Sequence, residues 1–82
     1  MTEYYLHSNM SRAEGKLVLK CMREIINRYG YVTVSDLHDL IDIQSLYIHS
    51  RSGWRSLKGA RVTLLRKHNK YRLILPYSEY IA

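Results

Sequence analysis

The residues with the clearest chemistry are a series of lysines and arginines between positions 51 and 72. This segment holds eight of the thirteen basic residues and no Asp or Glu, and the acid-free window extends from residue 43 to residue 78. Lysine and arginine neutralise phosphates and release counterions, which supplies much of the affinity for nucleic acids. The predicted nucleic-acid-binding residues are Arg51, Arg55, Lys58, Arg61, Arg66, Lys67, Lys70 and Arg72.

The net charge is distributed unevenly along the 82 residues. The chain carries a formal charge of +6; residues 1–42 sum to −1 and residues 43–82 to +7. This balance favours a negatively charged partner, which we expect to be nucleic acid, and DNA in particular, or an acidic surface of a host protein. The competing interpretation is a solvated basic face that only aids solubility.

A tryptophan lies inside the basic segment. Trp54 directly precedes Arg55, and an aromatic ring beside arginines can stack on unpaired bases. The pair Gly53-Trp54 is equally suited to filling a small core, and we expect this second role for the ring.

Catalytic and metal-binding patterns are absent from the sequence. The four histidines have no metal-ligand spacing, and the single cysteine, Cys21, lies among apolar residues. Asp36, Asp39 and Asp42 share one side of a predicted helix, but they do not form a nucleophile, base and orienting group with His38. We therefore expect a non-enzymatic protein without a metal or cofactor.

Features of secreted and membrane proteins are also absent. One cysteine cannot form an internal disulfide. No apolar run approaches the roughly 20 residues of a membrane-spanning helix, and the first ten residues do not resemble a secretion signal. These observations predict a soluble protein of the cytoplasm, or of the host cytoplasm, with no membrane partner.

The first predicted element is a helix over residues 11–29. Ser11 and Glu14 match a capping box, and Gly30 is placed to end the helix in a left-handed conformation. Apolar residues recur at helical spacing between these ends and predict a face that packs on a core. They are Leu17, Cys21, Ile25 and Tyr29, with Val18, Met22 and Ile26 in the adjacent row.

A short strand and a second helix are predicted next. Residues 31–34 are β-branched and aromatic, which favours an edge strand. Ser35 is the expected N-cap of a helix over residues 36–42. Residues 43–60 remain open: Leu46, Tyr47 and Ile48 suit either a helix or a strand, and Trp54, Leu57 and Ala60 have helical spacing.

A β-hairpin is predicted over residues 61–76, with its turn at residues 68–70. Apolar residues alternate in both halves, and Asn69 tolerates the left-handed conformation of a tight turn. The predicted core-facing residues are Val62, Leu64, Tyr71 and Leu73. His68, in the turn, could contact a phosphate.

These elements predict one small α+β domain with the element order of a winged helix. Its boundaries are an N-terminal arm over residues 1–10, ended by Ser8 and Asn9, a domain over residues 11–76 and a tail over residues 77–82. The tail would be held by Tyr80 and Ile81. The recognition helix of a winged-helix protein would fall within residues 43–59, and its wing tip at residues 68–70.

Three stretches, YGYVTVSDLHDLI, GWRSLKGARV and KYRLILP, resemble small proteins encoded by bacteriophages and prophages. Those proteins share a helix followed by YG-x-VTV-x-DLYDL, GW-x-x-L and GY-x-L-x-LP. The matching positions are Tyr29, Gly30, Val32, Thr33, Val34, Asp36, Leu37, Asp39, Leu40, Gly53, Trp54, Leu57, Tyr71, Leu73, Leu75 and Pro76. Lys70 replaces the usual glycine, and residues 48–52 replace a more acidic loop. The resemblance implies a phage origin and a shared fold, and no particular chemistry.

Three functions are compatible with these features. The first is a phage-type DNA-binding protein, with a possible regulatory role, that uses a basic loop and a β-hairpin. The second is a host-takeover or anti-defence protein that binds an acidic host protein. The third is a minor structural or assembly protein whose tyrosine-rich arm and tail support a homodimer or larger oligomer.

Overall fold

The computed structural model describes residues 1–6 and 10–81 and shows a small α+β fold. The predicted order of helix, strand, helix and hairpin is confirmed. The helices are α1 (Arg12–Tyr29) and α2 (Val34–Leu40), and two short 3-10 helices span Tyr47–Arg51 and Arg66–His68. The strands are β1 (Thr2–Tyr5), β2 (Val32–Thr33), β3 (Ser52–Trp54), β4 (Arg61–Leu65), β5 (Lys70–Leu75) and β6 (Glu79–Tyr80). No helix in this part of the chain is long and apolar enough to cross a membrane.

Six strands form two antiparallel sheets of three strands each. The first has the order β1-β5-β4 and contains the predicted hairpin, whose connection includes Asn69 at a φ of 51°. The second has the order β2-β3-β6. Segments predicted as arm and tail thus contribute β1 and β6, while Ser8 and Asn9 lie outside the described residues. Pairing at both ends brings distant parts of the chain together.

Helix α1 has the predicted caps, and the predicted row of Val18, Met22 and Ile26 packs on the core, but the row that begins at Leu17 lies at its margin. Ser11 and Glu14 form the reciprocal capping box, and Gly30 ends the helix at a φ of 89°. Leu17, predicted to face the core, is 56% exposed, and Tyr29 is also exposed. The buried face contains Gly15, where a Cβ atom would lie 3.1 Å from side-chain atoms of Leu6 and Val62. The missing side chain allows α1 to approach Leu6 and β4 closely, and this approach selects the buried face.

Helix α2 begins earlier than the sequence analysis predicted. Thr33, and not Ser35, is the N-cap. The Asp36 backbone N–H donates to the Thr33 hydroxyl at 3.0 Å, and the Thr33 N–H donates to the Asp36 carboxylate at 3.0 Å. This pair satisfies two free backbone donors at once, whereas Ser35 would satisfy only one. The helix therefore covers Val34–Leu40, and the preceding strand is shortened to Val32–Thr33.

No recognition helix forms within residues 43–59, all of which the structure describes. The 3-10 helix Tyr47–Arg51 leads directly into β3, so the helical spacing of Trp54, Leu57 and Ala60 was misleading. Trp54 is only 2% exposed, and its indole N–H donates to the Pro76 carbonyl at 2.7 Å. The extended conformation is favoured because it pairs β3 on both sides and buries this ring. The core role predicted for Trp54 is confirmed, and its base-stacking role is excluded.

One hydrophobic core connects both helices with both sheets. Leu73 and Leu75 of β5 are buried in it, whereas Leu64, predicted to face the core, is partly exposed beside Tyr71. The Leu64–Tyr71 pair lies closer to the end of the hairpin than the Val62–Leu73 pair. Its position explains why Leu64 is more exposed than Leu73. The buried cluster comprises Leu6, Val18, Leu19, Met22, Val32, Val34, Leu37, Ile41, Trp54, Leu57, Leu73 and Leu75.

Candidate nucleic-acid interface

A groove lined by positive side chains lies between α1 and the segment formed by residues 55–62. It consists of two cavities of about 380 and 370 Å³, and Arg23 lines both of them. No Asp or Glu belongs to the described lining of either cavity. We call this feature the basic groove, and its charged residues are Lys16, Arg23, Arg55, Lys58 and Arg61.

Helix α1 supplies one wall of the basic groove. Lys16, Arg23 and Asn27 lie at positions i, i+7 and i+11, which places them on one side of a helix. The capping box at Ser11 and the left-handed Gly30 secure both ends of this helix. These three residues could not be singled out from the sequence, because polar side chains outside an apolar stripe are normally solvent-exposed. Their helical spacing was the available signal, but it does not identify the facing segment.

The opposite wall is a loop anchored by a buried leucine. Leu57 belongs to the core, and the Ala60 N–H donates to the Leu57 carbonyl at 2.9 Å to close a turn. Gly59 has a φ of 84°, a conformation that side chains other than glycine rarely adopt. This turn leaves Lys58 exposed at its tip while the backbone on both sides is held. The loop can thus present a mobile ammonium group from a defined position.

Arg61 and Arg55 occupy the two ends of this loop. The Arg61 guanidinium donates to the Gly59 carbonyl at 3.2 Å. Arg55 forms an ion pair with Glu79, and both side chains are more than half exposed. Exposed ion pairs of this kind contribute little stability, so a phosphate can replace Glu79 at small cost. Both arginines remain available to an anionic ligand.

The other predicted binding residues lie away from the basic groove. Arg66, Lys67 and Lys70 cluster at the connection between β4 and β5. Arg72 projects from the face of the sheet that points away from the core. There its guanidinium donates to the Glu3 carboxylate at 2.9 Å and to the Thr63 hydroxyl at 3.0 Å. The charge of Arg72 is therefore already compensated. Among the eight predicted residues, three line the groove and three lie at the hairpin end.

Arg51 joins two exposed tyrosines. Its guanidinium donates to the Tyr80 hydroxyl at 2.7 Å and to the Tyr47 hydroxyl at 3.0 Å, and lies 5.6 and 5.9 Å from the respective ring centres. The hydrogen bonds with Tyr80 and Tyr47 raise the pKa of Arg51 above its ordinary value. Tyr47 is 76% exposed and Tyr80 67% exposed. We call these three residues the tyrosine clamp.

A buried histidine supports the 3-10 helix that carries Tyr47. His38 is 8% exposed, its Nδ1 atom lies 3.1 Å from the Ser45 hydroxyl, and its ring meets the His49 ring edge-on at 4.6 Å. Burial lowers the pKa of His38 below its ordinary value of 6.5; His49 lowers it further and Asp39 opposes the change. Tyr4 also packs edge-on against His38. The folded protein therefore favours neutral His38.

Acidification is expected to destabilise the protein through His38. Because the pKa of His38 is lower in the folded than in the unfolded chain, its stabilising contribution is present above pH 6.5. That contribution is lost as the pH falls below 6.5 towards the folded-state pKa. The free energy of unfolding measured in urea should fall more between about pH 7.5 and pH 5.5 for the wild type than for His38→Asn. An equal loss in both proteins would contradict the assignment.

Other types of site find little support in the described residues. Within residues 1–6 and 10–81, no group of three His, Cys, Asp or Glu side chains is arranged to hold a metal ion. The resemblance to phage-encoded proteins stays a prediction from sequence. Compared with protein-family models, curated proteins and solved structures, the chain matches none of them.

Proposed function

We propose that the protein is a nucleic-acid-binding protein without enzymatic activity, with DNA as the expected ligand. The observation that carries the proposal is the basic groove. Five cationic side chains from α1 and the facing loop line it, and no carboxylate belongs to its described lining. A phosphate backbone in this groove would release counterions from the nucleic acid, which favours binding at low salt.

The groove supports backbone contacts and does not indicate sequence recognition. Lysine and arginine side chains that contact phosphates determine the register and orientation of the nucleic acid, whereas base edges must be contacted for specificity. Asn27, on the α1 wall of the groove, is the one uncharged polar side chain of α1 in the described lining. Arg66, Lys67 and Lys70 at the hairpin end would add a second, peripheral set of phosphate contacts.

The salt dependence of binding tests the proposal directly. If about four phosphates of a DNA duplex are engaged, the logarithm of the association constant should fall with the logarithm of the salt concentration at a slope near −3.6. Fluorescence anisotropy with labelled DNA at several salt concentrations measures this slope. Absence of binding to both DNA and RNA at low salt would disprove the proposal.

A double substitution in the basic groove should weaken binding without unfolding the protein. Arg23→Gln with Lys58→Gln removes two exposed charges from opposite walls of the groove. We expect the dissociation constant to rise at least about tenfold and the salt slope to decrease by about 1.8.

Arg28→Gln provides the matched control for charge. Arg28 is an exposed arginine of the same helix, but it lies beside Glu24 and Tyr29 and outside the basic groove. Its substitution should change affinity less than about twofold, because the long-range effect of a single charge is screened by salt. Equal losses in Arg28→Gln and in the groove variant would indicate a diffuse charge effect and no defined groove.

A second candidate function is binding to an acidic protein surface. Leu46 and Ile48 are exposed beside Tyr47, and apolar side chains of this kind are typical of protein interfaces. A pull-down from nuclease-treated host lysate distinguishes the two functions. A partner that survives nuclease and depends on Leu46 and Ile48 favours the protein interface, whereas loss of all partners favours nucleic acid.

A further inference from the structure

We propose that the tyrosine clamp is a stacking platform for unpaired bases, which makes the ligand of this protein a single-stranded nucleic acid. The inference rests on the proposed function and specifies its ligand. Aromatic faces beside cationic side chains bind single strands because every base presents a π face, which a duplex covers. Here the aromatic groups are Tyr47 and Tyr80.

The two rings are held in place before any ligand binds. Both hydroxyl groups accept hydrogen bonds from the one guanidinium of Arg51, at 2.7 and 3.0 Å, although the residues are 33 positions apart in the sequence. The carbonyl of Arg51 also accepts from the Ile81 N–H at 2.8 Å, which ties the end of the chain to this residue. Ordering side chains in advance lowers the entropic cost of binding.

Exposure of the rings leaves their surfaces accessible. Tyr47 and Tyr80 remain mostly exposed despite their hydroxyl contacts, so the hydrogen bonds orient the rings without covering them. Trp54, the aromatic residue that the sequence first suggested for stacking, is buried and cannot take this role. The chemistry expected from an aromatic ring beside arginines is thus present, but different residues supply it.

The platform lies next to one end of the basic groove. Pairing of β3 with β6 places Tyr80 opposite Ser52, and Glu79 opposite Gly53. Glu79 contacts Arg55, which lines the groove, and directly precedes Tyr80 in β6, although successive side chains of a strand point to opposite faces of the sheet. A nucleic-acid strand whose phosphates lie in the groove would therefore cross β6, which is an edge strand, to bring a base to Tyr80.

The surrounding charges favour an anionic ligand at this position. Arg51 lies within the clamp, and the neighbouring carboxylate, that of Glu79, is paired with Arg55. Arg51 makes no salt bridge with any described acidic side chain. A phosphate next to a stacked base would provide an anionic partner for this guanidinium.

The test compares single-stranded and duplex DNA of equal length. Fluorescence anisotropy with a 20-nucleotide oligo(dT), on the order of one or two single-strand sites, and a matched duplex gives both affinities. Wild type should bind the single strand more tightly. Tyr47→Leu with Tyr80→Leu keeps apolar bulk but removes the rings, and should weaken single-strand binding at least about tenfold while changing duplex binding less than about twofold.

Two further variants make the result specific to the rings. Tyr47→Phe with Tyr80→Phe retains the π faces and should keep most of the single-strand affinity, losing only the orientation by Arg51. Tyr29→Leu removes an exposed tyrosine that lies on another surface, with Ile25 and Tyr31, and should leave both affinities unchanged. Far-ultraviolet circular dichroism of each variant confirms that the fold is retained.

The possible outcomes separate this inference from the proposed function. Selective loss of single-strand affinity in the leucine variant supports the platform. Equal affinity for both DNA forms, unchanged by that variant, overturns the platform and leaves the groove intact. No binding to either DNA form, and none to RNA, overturns both proposals. Unchanged single-strand affinity with loss of a nuclease-resistant protein partner overturns the platform and assigns the surface to protein docking.

Discussion

Replacing Gly53 with alanine is expected to lower the free energy of unfolding by about 3 kcal/mol or more, one of the largest effects available in this chain. A Cβ atom at this position would lie 2.0 Å from the Val32 carbonyl oxygen and 2.7 Å from the Thr33 Cα. Both are backbone atoms of the paired strand β2, so they cannot move without breaking the β2–β3 pairing. Urea unfolding followed by circular dichroism measures the loss.

Gly59→Ala is the control for the general cost of replacing a glycine. Gly59 has a φ of 84°, but the nearest atom to an added Cβ is the Met1 methyl carbon at 3.7 Å. The backbone penalty alone is about 1–2 kcal/mol. If Gly53→Ala costs no more than Gly59→Ala, the close approach of β3 to β2 is not a constraint on the fold.

The Gly53 substitution should also affect the candidate interface. Strand β3 lies between Arg51, which holds the tyrosine clamp, and Arg55, which lines the basic groove. Displacing β3 would separate these two arginines from their contacts with β6. We therefore expect any Gly53→Ala protein that remains folded to bind single strands less tightly than the wild type.

Removing the Trp54 side chain is the second substitution with a large expected effect. Trp54→Ala should cost about 3–5 kcal/mol, since it deletes the largest fully buried side chain and leaves a cavity beside α2, β2 and Tyr4. A domain of ordinary stability has only about 5–15 kcal/mol in total, so this variant is expected to unfold at low denaturant concentrations. Thermal and urea unfolding monitored by circular dichroism test this result.

Trp54→Phe distinguishes the contribution of the indole N–H from that of the ring. Phenylalanine keeps an aromatic group beside Tyr4, whose ring centre lies 6.2 Å from that of Trp54, but it cannot donate to the Pro76 carbonyl. Leaving the Pro76 carbonyl without this donor should lower the free energy of unfolding by about 1–3 kcal/mol. Tyr31→Phe, at a more exposed position, should cost less than about 0.5 kcal/mol and serves as the control. Equal effects would show that the Trp54–Pro76 hydrogen bond does not contribute to stability.

Local patterns in the sequence were sufficient for much of the secondary structure. The reciprocal contacts of Ser11 and Glu14 and the left-handed Gly30 involve residues three or four positions apart, so the ends of α1 could be predicted. Alternating apolar residues around Asn69 likewise predicted the hairpin. The start of α2 was missed because the β-branched residues Val32, Thr33 and Val34 suggest a strand, although Thr33 and Asp36 form a capping box.

The candidate site depended on contacts between distant residues, which no local pattern indicates. Arg23 and Arg61 line one cavity because Gly15 lets α1 approach β4, and the spacing of either residue does not indicate this approach. Tyr47 and Tyr80 share Arg51 only because β6 pairs with β3. The same pairing and the Pro76 contact bury Trp54.

The sequence alone determined the charge of this protein, the concentration of that charge in its second half, the caps of α1 and the hairpin. These properties depend on composition or on residues within a few positions of each other. Tertiary structure alone decided that helix α1 contributes Lys16 and Arg23 to the basic groove, and that Tyr47 and Tyr80 present their rings together. Both results require strands and helices to pack in three dimensions, because burial and close approach select among side chains that local spacing leaves equivalent.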